Sequence, residues 1–476
     1  MSGALWTDVD AEAATGGRSN RPWSARGVAI DSRTLAAGDL FVAIKGETHD
    51  GHDHVAAALA AGAAAALVNR PPAGLPRDCA LIVVPDTLEA LARLGIAARA
   101  RIVGTRIAAV TGSVGKTSTK DALRLVLAAQ AATHAAAASF NNHIGVPLTL
   151  ARLPRDAAYA VFEVGMNHAG EIAPLARMIR PELALVTTVE AVHTEFFADG
   201  IDGVAAAKAE IFAAGGRVAV LNRDNRFFER LAAEARRRGF ERIVGFGGDA
   251  AAEARLVDMR LDAGSTTVAA MIDGRAISYR VGAPGRHWAM NSLAVLAAAD
   301  ALGADIGTAA ATLAEMSPPK GRGRRHVVER DGESFVVIDD SYNASPVSMR
   351  AAFEVLANSE LATGGRRIAV LGDMRELGAE APSRHAELAE ALVERRIDLV
   401  FACGPHMASL FAALPARMRG AYSANSTALL PLVRAAIRRG DVVVVKGSLG
   451  SRMGPIVEAL LGGHANGNGA PNRAAG

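Results

Sequence analysis

The sequence has few of the features that mark secreted or membrane-spanning proteins. Only two of its 476 residues are cysteines, and Cys79 and Cys403 lie too far apart to form a metal-ligand motif. This excludes a disulfide framework and indicates a reducing compartment. The longest apolar run, residues 55–68, is shorter than the roughly 20 residues that cross a bilayer. The first residues lack the basic segment and apolar core of a signal peptide, so we expect a cytoplasmic protein.

A surplus of charge of either sign is also missing. The 52 Lys and Arg residues nearly balance the 49 Asp and Glu residues, which argues against a surface dedicated to nucleic acid. Half of the residues are apolar, so large buried cores are possible. At about 100–200 residues per domain, the length predicts three domains.

One stretch that is present indicates a specific chemistry. Residues 107–119 are Ile-Ala-Ala-Val-Thr-Gly-Ser-Val-Gly-Lys-Thr-Ser-Thr, an apolar strand followed by a glycine turn and a helix. The glycines let successive N–H groups point at one anion, and the helix N-terminus adds partial positive charge. Lys116 is placed to reach the β- and γ-phosphates, and the Thr117 hydroxyl to ligate Mg²⁺. We predict a shortened phosphate-binding loop, in which Val110 replaces the first glycine of the usual motif.

The segments around this loop alternate between strands and helices. The strands are predicted at 107–110, 159–164, 183–188 and 218–221, and the helices at 117–129, 171–179 and 201–212. Such alternation predicts a parallel sheet covered on both faces, with ligands at the carboxyl ends of the strands. We therefore expect a central nucleotide-binding domain over residues 105–320, with an antiparallel addition at 255–282.

The flanking segments predict two further domains. Residues 1–104 combine short strands with an alanine-rich helix, which indicates a small α/β domain. After a basic, Pro/Gly-rich linker at 317–326 the strand–helix pattern restarts without a second phosphate loop, which predicts a Rossmann-like domain over 321–462. The tail, 463–476, has the composition of a disordered segment. The expected fold class is α/β in three domains.

Three side chains that follow the loop are candidates for metal binding. Phosphoryl transfer requires metal ligands close to the loop. Glu163 ends the second predicted strand of the central domain, at the position of a Walker-B acid. His193 follows the next apolar strand, and Lys208 lies on a predicted helix. Each residue alone is a weak signal, and their order after the loop is what favours a metal site.

Longer motifs resemble the Mur ligase family, the ATP-dependent ligases that add amino acids to the bacterial peptidoglycan precursor. The resemblance covers about residues 27–460 and depends on four stretches, Ser-Phe-Asn-Asn-His-Ile-Gly-Val-Pro at 139–147, Glu-Val-Gly-Met-Asn-His-Ala-Gly-Glu at 163–171, Asp-Asp-Ser-Tyr-Asn-Ala-Ser-Pro at 339–346 and Leu-Gly-Asp-Met-Arg-Glu-Leu-Gly at 371–378. These stretches are most similar to the member that joins D-alanyl-D-alanine to UDP-N-acetylmuramoyl-tripeptide.

The resemblance implies roles for residues in all three segments. The expected ATP-phosphate contacts are Gly112, Ser113, Val114, Gly115, Lys116, Thr117 and Ser118. The expected magnesium ligands are Thr117, Glu163, His193 and, if it is carbamylated, Lys208. Further nucleotide contacts are expected from Asn291, Arg322, Asp340 and Asn343, and substrate contacts from Ser32, Arg33, Lys45, Asn141, Asn142 and Asn167. The residues expected to act in catalysis are Lys116, His193, Lys208 and Arg322.

The implied reaction is an ADP-forming ligation that uses ATP and Mg²⁺. The peptide carboxylate would be activated as an acyl phosphate, which the D-alanyl-D-alanine amine then attacks. The resemblance implies a monomer with small-molecule substrates, no nucleic-acid partner and no membrane span. Arg322 and Asp340 would reach ATP from the third domain by domain closure. The sequence leaves open whether the tripeptide carries diaminopimelate or lysine and whether Lys208 is carbamylated.

Several other functions fit the phosphate loop. The sister ligase that adds the third peptide residue shares this chemistry, and so does a folylpolyglutamate synthetase, although the latter lacks a first domain with Asp-Ser-Arg, as at 31–33. A GTP-dependent switch requires Asn-Lys-x-Asp, and the nearest match, at 222–225, has its aspartate one place early. A DNA-regulatory ATPase is disfavoured by the near-neutral charge.

The chain also departs from the family pattern at three places. Ser345 and Arg375 replace an asparagine and an apolar residue, and 446–452 is a looser form of the Lys-Gly-Ser stretch.

Overall fold

The computed structural model describes residues 3–46, 49–192, 194–262, 264–330 and 333–462. The chain separates into two compact units. Unit 1 contains the residues up to 189 together with 205–254 and 294–309, and unit 2 contains 190–204, 255–293 and the residues from 310 onward. The N-terminal segment and the phosphate loop therefore share unit 1.

The N-terminal segment contains a five-stranded sheet, a separate antiparallel pair formed by its first and third strands, and helices. Its strands are β1 (Trp6–Thr7), β2 (Arg18–Ser19), β3 (Ser24–Ala25), β4 (Gly27–Ala29), β5 (Asp39–Val42), β6 (Ala65–Val68) and β7 (Leu81–Val83). Its helices are α1 (Asp8–Thr15), α2 (Val55–Ala60) and α3 (Thr87–Arg101). The sheet has the order β2-β7-β6-β5-β4, and only β2 is antiparallel to its neighbour.

Helix α1 lies in a stretch for which the sequence pattern predicts neither a helix nor a strand. Its N-cap is Thr7, whose side chain accepts the N–H of Asp10, and it ends at Gly16 in the left-handed conformation. These are the cap residues that helices prefer at their two ends. The cap residues were therefore a usable signal, although the stretch is polar and short.

The phosphate loop belongs to a parallel sheet in unit 1. Its strands are β8 (Arg106–Thr111), β9 (Thr133–Ala135), β10 (Tyr159–Glu163), β11 (Leu183–Val186), β12 (Val218–Asn222) and β13 (Arg242–Gly247). The helices that follow these strands are α4 (Lys116–Ala128), α5 (Gly145–Ala151), α6 (Ile172–Ile179), α7 (Ile201–Ala209) and α8 (Phe228–Arg237). The strand order is β13-β12-β11-β8-β10-β9, and every pair is parallel. The predicted parallel sheet is confirmed, and β9 and β13 were not predicted.

The antiparallel addition is also confirmed. It consists of β14 (Ala254–Leu261), β15 (Thr266–Ile272) and β16 (Arg275–Val281), and it is followed by α9 (Arg286–Ala301) and α10 (Ile306–Thr312). The β15–β16 hairpin turns at Asp273 and Gly274, both with positive φ. An Asp-Gly pair in this conformation matches the twist of the flanking strands.

The third segment contains a six-stranded sheet in unit 2. Its strands are β17 (Arg324–Arg330), β18 (Glu333–Asp340), β19 (Arg367–Gly372), β20 (Leu399–Cys403), β21 (Arg419–Ser423) and β22 (Val442–Lys446). Its helices are α11 (Pro346–Ala357), α12 (Ala381–Ala386), α13 (Leu388–Glu394), α14 (Met407–Ala413), α15 (Ser426–Ala436) and α16 (Gly454–Leu460). The order is β17-β18-β22-β19-β20-β21, with only β17 antiparallel.

Two details of this sheet follow from its sequence. Residues 442–445 are four valines because β22 is covered on both faces, with Val443 packed in one core and Val444 in the other. The predicted linker was wrong from Arg324 onward, where β17 begins. As an edge strand, β17 accommodates the charged residues that suggested a linker.

Within the described ranges, no helix combines the length and apolarity of a membrane-spanning segment.

Candidate nucleotide and metal site

The phosphate loop and two further polar positions lie at one edge of the parallel sheet. Strand β8 is paired with β10 on one side and with β11 on the other. Val110 is opposite Glu163, and Thr111 is opposite Val186. The loop, Glu163 and the threonine after β11, Thr187, therefore follow neighbouring strand ends, which is where open α/β sheets bind ligands.

The loop glycines are required by its close approach to Thr187. Gly112 has φ +147°, and a Cβ there would stand 1.9 Å from the Thr187 Oγ1. The Thr187 hydroxyl donates to the carbonyl of Val114 at 2.6 Å. Gly115, with φ +86°, is the N-cap of α4. Val110 is a buried residue of β8, so at the position where the usual motif has its first glycine this chain is still in the strand. Thr187 was not predicted, although the Thr-Thr pair that follows β11 is a signal for it.

Lys116 extends across the turn of its own loop. Its Nζ donates to the carbonyl of Gly112 at 2.7 Å and to that of Ser113 at 3.5 Å. The side chain is half-buried. A positive charge is therefore held at the turn, next to the N-terminus of α4, where an anion is stabilised.

Two of the predicted metal ligands, Thr117 and Glu163, would bind a metal through oxygen atoms, and both lie in unit 1. The Thr117 hydroxyl is 2.9 Å from that of Ser139. Glu163 is 2% exposed, and its Oε1 accepts from the Asn141 amide at 2.8 Å. Its Oε2 is buried, with no hydrogen-bond partner among the described residues. A buried carboxylate oxygen without a donor fits a hard cation such as Mg²⁺.

The composition of this site also matters. In the part of the chain that the structure describes, no group of three or more His, Cys, Asp or Glu side chains is arranged to hold a metal ion. A site with one carboxylate and one hydroxyl suits Mg²⁺, which keeps several waters and binds substrate phosphates. His193, the third predicted ligand, lies outside the described residues.

We expect Glu163→Gln to raise the Mg²⁺ concentration that gives half-maximal activity. Even indirect partners of metal ligands change affinity by about 10–100-fold, so we expect an increase of about tenfold or more. A Mg²⁺ titration of ATP turnover measures it. Glu89→Gln, which removes an exposed carboxylate paired with Arg93, is the control. An unchanged Mg²⁺ requirement in the Glu163 variant would contradict the assignment.

Lys208 is buried in unit 1 on α7, with 1% of its surface exposed. Burial lowers its pKa well below the ordinary lysine value, and the nearby charge of Lys116 lowers it further. Both causes disfavour the ammonium form. An uncharged amine is the form that reacts with CO₂ to give a carbamate.

A carboxylate that sequence reasoning missed fixes the neighbouring segment. Glu210 follows α7, and its side chain accepts the N–H groups of Gly170, Ile172 and Ala173 at 2.6–3.1 Å. These contacts satisfy the free donors at the start of α6. Asn167 is exposed before this turn, and its N–H donates to Glu171.

The predicted substrate contacts Asn141 and Asn142 have partners within the protein. Asn141 holds Glu163, as described above. The Asn142 Oδ1 accepts the N–H groups of Ile144 and Gly145, where α5 begins. Neither contact tests substrate binding, which stays a prediction for both residues and for Asn167.

The predicted UDP contacts follow two adjacent strands of the N-terminal sheet. Ser32 and Arg33 follow β4, and Lys45 follows β5, which is parallel to β4. The Arg33 guanidinium pairs with Asp31 at 2.7 Å and is exposed, and Lys45 is also exposed. Two exposed cationic side chains therefore follow strand ends on one edge, and their binding to a diphosphate stays a prediction.

A second polar cluster occupies unit 2. The Lys446 ammonium donates to Asp340 at 2.7 Å and to the carbonyl of Asn343 at 2.9 Å. Burial raises the pKa of Asp340, and Lys446 opposes that shift. The Arg322 guanidinium lies over the Tyr342 ring, 4.4 Å from its centroid. Three of the predicted nucleotide contacts, Arg322, Asp340 and Asn343, are thus brought together by Lys446 and Tyr342.

The fourth predicted nucleotide contact of unit 2, Asn291, belongs to a different element. It lies in the first turns of α9, after Gly285 with φ +132°. The Lys446 ammonium bonds to Asp340 and Asn343, and no hydrogen bond from the Asn291 side chain to these residues is found in the described part of unit 2.

Two departures from the family pattern contact each other. The Arg375 N–H donates to the Ser448 hydroxyl at 3.0 Å, and its guanidinium donates to the carbonyl of Gly450 at 3.1 Å. The arginine therefore binds the stretch that the sequence identified as a looser form of the family motif. The separation of 73 or more residues explains why the link was not visible in the sequence.

The third departure, Ser345, is an N-cap. Its hydroxyl accepts from the N–H of Ser348, and the Ser348 hydroxyl accepts from the N–H of Ser345, which forms a capping box at α11. Asparagine, the family's residue, is an equally good N-cap.

We expect Ser345→Ala to lower the free energy of unfolding by about 1 kcal/mol, because an N-cap hydroxyl contributes that much. Urea unfolding followed by circular dichroism measures the change. Ser345→Asn is the matched variant and should retain wild-type stability. Equal destabilisation by both substitutions would contradict the cap.

Comparison with known proteins assigns all three segments of the chain to one family. Three family models match the chain: "Mur ligase family, catalytic domain" at residues 24–99, "Mur ligase middle domain" at 110–299 and "Mur ligase, glutamate ligase domain" at 323–449. The matches fall within the three predicted domains, whose boundaries stay a prediction.

Individual relatives cover nearly the whole chain. The UDP-N-acetylmuramoyl-tripeptide–D-alanyl-D-alanine ligase of Escherichia coli is 36% identical over 91% of this chain and 93% of its own. The crystal structure of MurF from Acinetobacter baumannii superposes with a TM-score of 0.82 at 29% identity, covering 96% of this chain and 99% of that one. MurF from Thermotoga maritima in complex with ADP has a TM-score of 0.75 at 27% identity, with 92% and 98% covered. The chain belongs to the Mur ligase family of ATP-dependent ligases.

Proposed function

We propose that this protein joins D-alanyl-D-alanine to the peptide carboxylate of UDP-N-acetylmuramoyl-tripeptide and converts ATP to ADP and phosphate. The Escherichia coli relative above carries this activity in its name and is matched over 93% of its length. The observation that carries the proposal is the edge of the parallel sheet, where Lys116 and Thr117 lie beside Glu163 at the ends of adjacent strands. One Glu163 oxygen there has no hydrogen-bond partner among the described residues. That edge suits a nucleotide triphosphate with a hard cation.

The first step activates a poor acyl donor. A carboxylate cannot expel oxide, so its oxygen attacks the γ-phosphorus of ATP, the bond to the β-phosphate oxygen breaks, and ADP leaves. The product is an acyl phosphate, whose leaving group is phosphate. The loop N–H groups and Lys116 stabilise the charge on the transferring phosphoryl group. Bound Mg²⁺, held by Thr117 and Glu163, would neutralise further phosphate charge.

The second step forms the amide bond. The neutral amine of D-alanyl-D-alanine attacks the acyl carbon, a tetrahedral intermediate forms, and phosphate departs with the former carboxylate oxygen. The amine loses one proton in this step, and solvent or the departing phosphate accepts it. Because little covalent chemistry falls to the protein, most of its contribution is positioning and charge stabilisation.

Further assignments belong to the same proposal. Ser32, Arg33 and Lys45 bind the UDP group, Asn141, Asn142 and Asn167 serve the peptide substrates, and Asn291, Arg322, Asp340 and Asn343 contact the nucleotide. Lys208 acts as a carbamate, which would convert a buried amine into a carboxylate-like metal ligand. Its burial and lowered pKa support this modification, since the reaction with CO₂ needs the uncharged amine. The enzyme acts as a monomer in the cytoplasm.

One assay tests the activity. Purified protein is mixed with ATP, Mg²⁺ and UDP-N-acetylmuramoyl-tripeptide, and phosphate release is followed with D-alanyl-D-alanine or with single amino acids. We expect release only when both the tripeptide and the dipeptide are present. Release with a UDP-linked dipeptide and a single amino acid would indicate the sister ligase. Release without any UDP-linked peptide would indicate a nucleotide hydrolase and overturn the proposal.

A further inference from the structure

A buried lysine in the helix after the phosphate loop has no role in the reaction described above. Lys120 lies on α4, one turn beyond Lys116, and none of its surface is exposed. Its ammonium donates to the carbonyl of Ala136 at 2.7 Å and approaches that of Ala138 at 3.5 Å. It also pairs with Asp121 at 2.7 Å. Burying an ammonium is costly unless it is paired and hydrogen-bonded, so these partners define what Lys120 stabilises.

The carbonyl acceptors belong to a segment that contacts both oxygen ligands of the metal site. Two residues in that segment, Ser139 and Asn141, make the contacts described above. The Ser139 hydroxyl is 2.9 Å from that of Thr117, and the Asn141 amide donates to Glu163 at 2.8 Å. The Asn141 carbonyl also accepts the N–H of Gly165, which fixes the segment next to the end of β10.

The contacts form a continuous path within unit 1. Lys120 and Thr117 are on the same helix. The segment from Ala136 to Asn141 contacts Lys120 at its first residue, and its later residues contact Thr117 and Glu163. A salt-bridged cation at the base of such a segment limits its displacement. Residues 136–141 have no regular secondary structure, so they lack the hydrogen-bond ladder that would otherwise hold them.

We propose that Lys120 is a positioning residue for the magnesium site: by anchoring segment 136–141 it aligns the Thr117 hydroxyl and the Glu163 carboxylate for the metal–nucleotide complex. This inference depends on the proposed function, because it assigns a role toward the metal of that site. Among the described residues, the Lys120 ammonium bonds to Ala136, Ala138 and Asp121, and not to the carbonyls of the phosphate loop or to Glu163. Its effect passes through Ser139 and Asn141.

The rival explanation is that Lys120 only stabilises the fold. A purely structural lysine would change the melting temperature and leave the metal requirement of the folded protein unchanged. A positioning lysine changes how much Mg²⁺ strengthens nucleotide binding. The two explanations therefore differ in a measurement that does not require turnover.

The test is ADP binding by calorimetry, with Mg²⁺ and with EDTA, to wild type and to Lys120→Met. Methionine keeps the length and apolar stem of the side chain. We expect ADP affinity in EDTA to stay within about twofold of wild type, since the loop N–H groups remain. We expect the strengthening by Mg²⁺ to fall by about tenfold or more, the size found for indirect partners of metal ligands. Arg384→Met, which removes an exposed cation from an ion pair with Glu380, is the matched control.

A second variant approaches the same path from its other end. Ser139→Ala leaves Lys120 in place and removes the hydroxyl opposite Thr117. It should reduce the strengthening of ADP binding by Mg²⁺, as Lys120→Met does. The fold-reduction in the double variant should be smaller than the product of the two single fold-reductions. If Lys120→Met does not fold, Ser139→Ala and Asn141→Ala decide the matter. An undiminished Mg²⁺ effect in these variants would overturn the role of the segment and, with it, that of Lys120.

The outcomes separate this inference from the proposed function. If wild type shows neither Mg²⁺-strengthened ADP binding nor tripeptide-dependent phosphate release, the proposed function fails. If wild type shows both and Lys120→Met keeps the full Mg²⁺ effect, only the inference fails. A lower melting temperature of Lys120→Met with an unchanged Mg²⁺ effect likewise assigns the lysine to stability alone.

Discussion

Replacing Lys116 with alanine should lower the rate of ATP-dependent ligation by about 100- to 1,000-fold, the range measured when one preorganised donor to a developing charge is removed. The lysine Nζ lies against the carbonyls of Gly112 and Ser113, at the turn that the loop forms before α4. Its charge is therefore held where the β- and γ-phosphates would be bound. Binding of the UDP-linked peptide should persist, because the predicted UDP contacts follow strands of the N-terminal sheet.

Two measurements check this prediction. Phosphate release at saturating substrates reports the rate, and calorimetry with the UDP-linked tripeptide alone reports its binding. Arg93→Ala, which removes an exposed cation paired with Glu89, is the control and should leave both unchanged. Near wild-type turnover in Lys116→Ala would remove Lys116 from the catalytic machinery. Loss of tripeptide binding together with turnover would indicate a general structural defect instead.

The local parts of the site could be predicted from the sequence. The phosphate loop, its flanking strand and helix, and the strand-end position of Glu163 each follow from stretches of at most 13 consecutive residues. Strand and helix periodicity then placed Glu163 and the loop on the same sheet edge, which the strand register confirms. The unusual Val110 was also informative, since the structure continues β8 through that position.

The supporting contacts could not be predicted in the same way. Thr187 shapes the loop from 73 residues away, and Lys446 joins Asp340 across 106 residues. Such pairs depend on the strand order of each sheet, and periodicity alone does not determine that order. Lys120 shows a further limit, because a lysine on a helix is most often solvated, and only the three-dimensional structure reveals its burial.

Replacing Lys208 with methionine should change activity and stability in opposite directions. Its side chain is 1% exposed, and burial with the nearby charge of Lys116 lowers its pKa well below the ordinary value. The unfolded chain therefore binds more protons than the folded one at pH values between the two pKa values. In that window, stability rises with pH, and it is lowest where the buried amine must be protonated. Methionine removes this cost and fills a similar volume.

The protein with Lys208→Met, free of nucleotide, metal and bicarbonate, should therefore have a higher melting temperature at pH 7. Its melting temperature should also rise less between about pH 7 and 10, the upper limit being close to the unperturbed lysine pKa. Ligation should fall by about 100-fold or more if the residue serves the metal, the upper end of the range for metal-site partners. Differential scanning fluorimetry over this pH range and the phosphate-release assay measure the two effects.

Lys116→Met is the matched control for this pair of effects. It removes a half-buried lysine from the same site, so it should lower activity without the gain in stability. An active Lys208→Met protein would exclude Lys208 from the metal site, whether or not it is carbamylated. An inactive protein with a lower melting temperature would show instead that the lysine contributes to folding. Only the combination of lost ligation and gained stability indicates a buried amine that the fold tolerates for its chemistry.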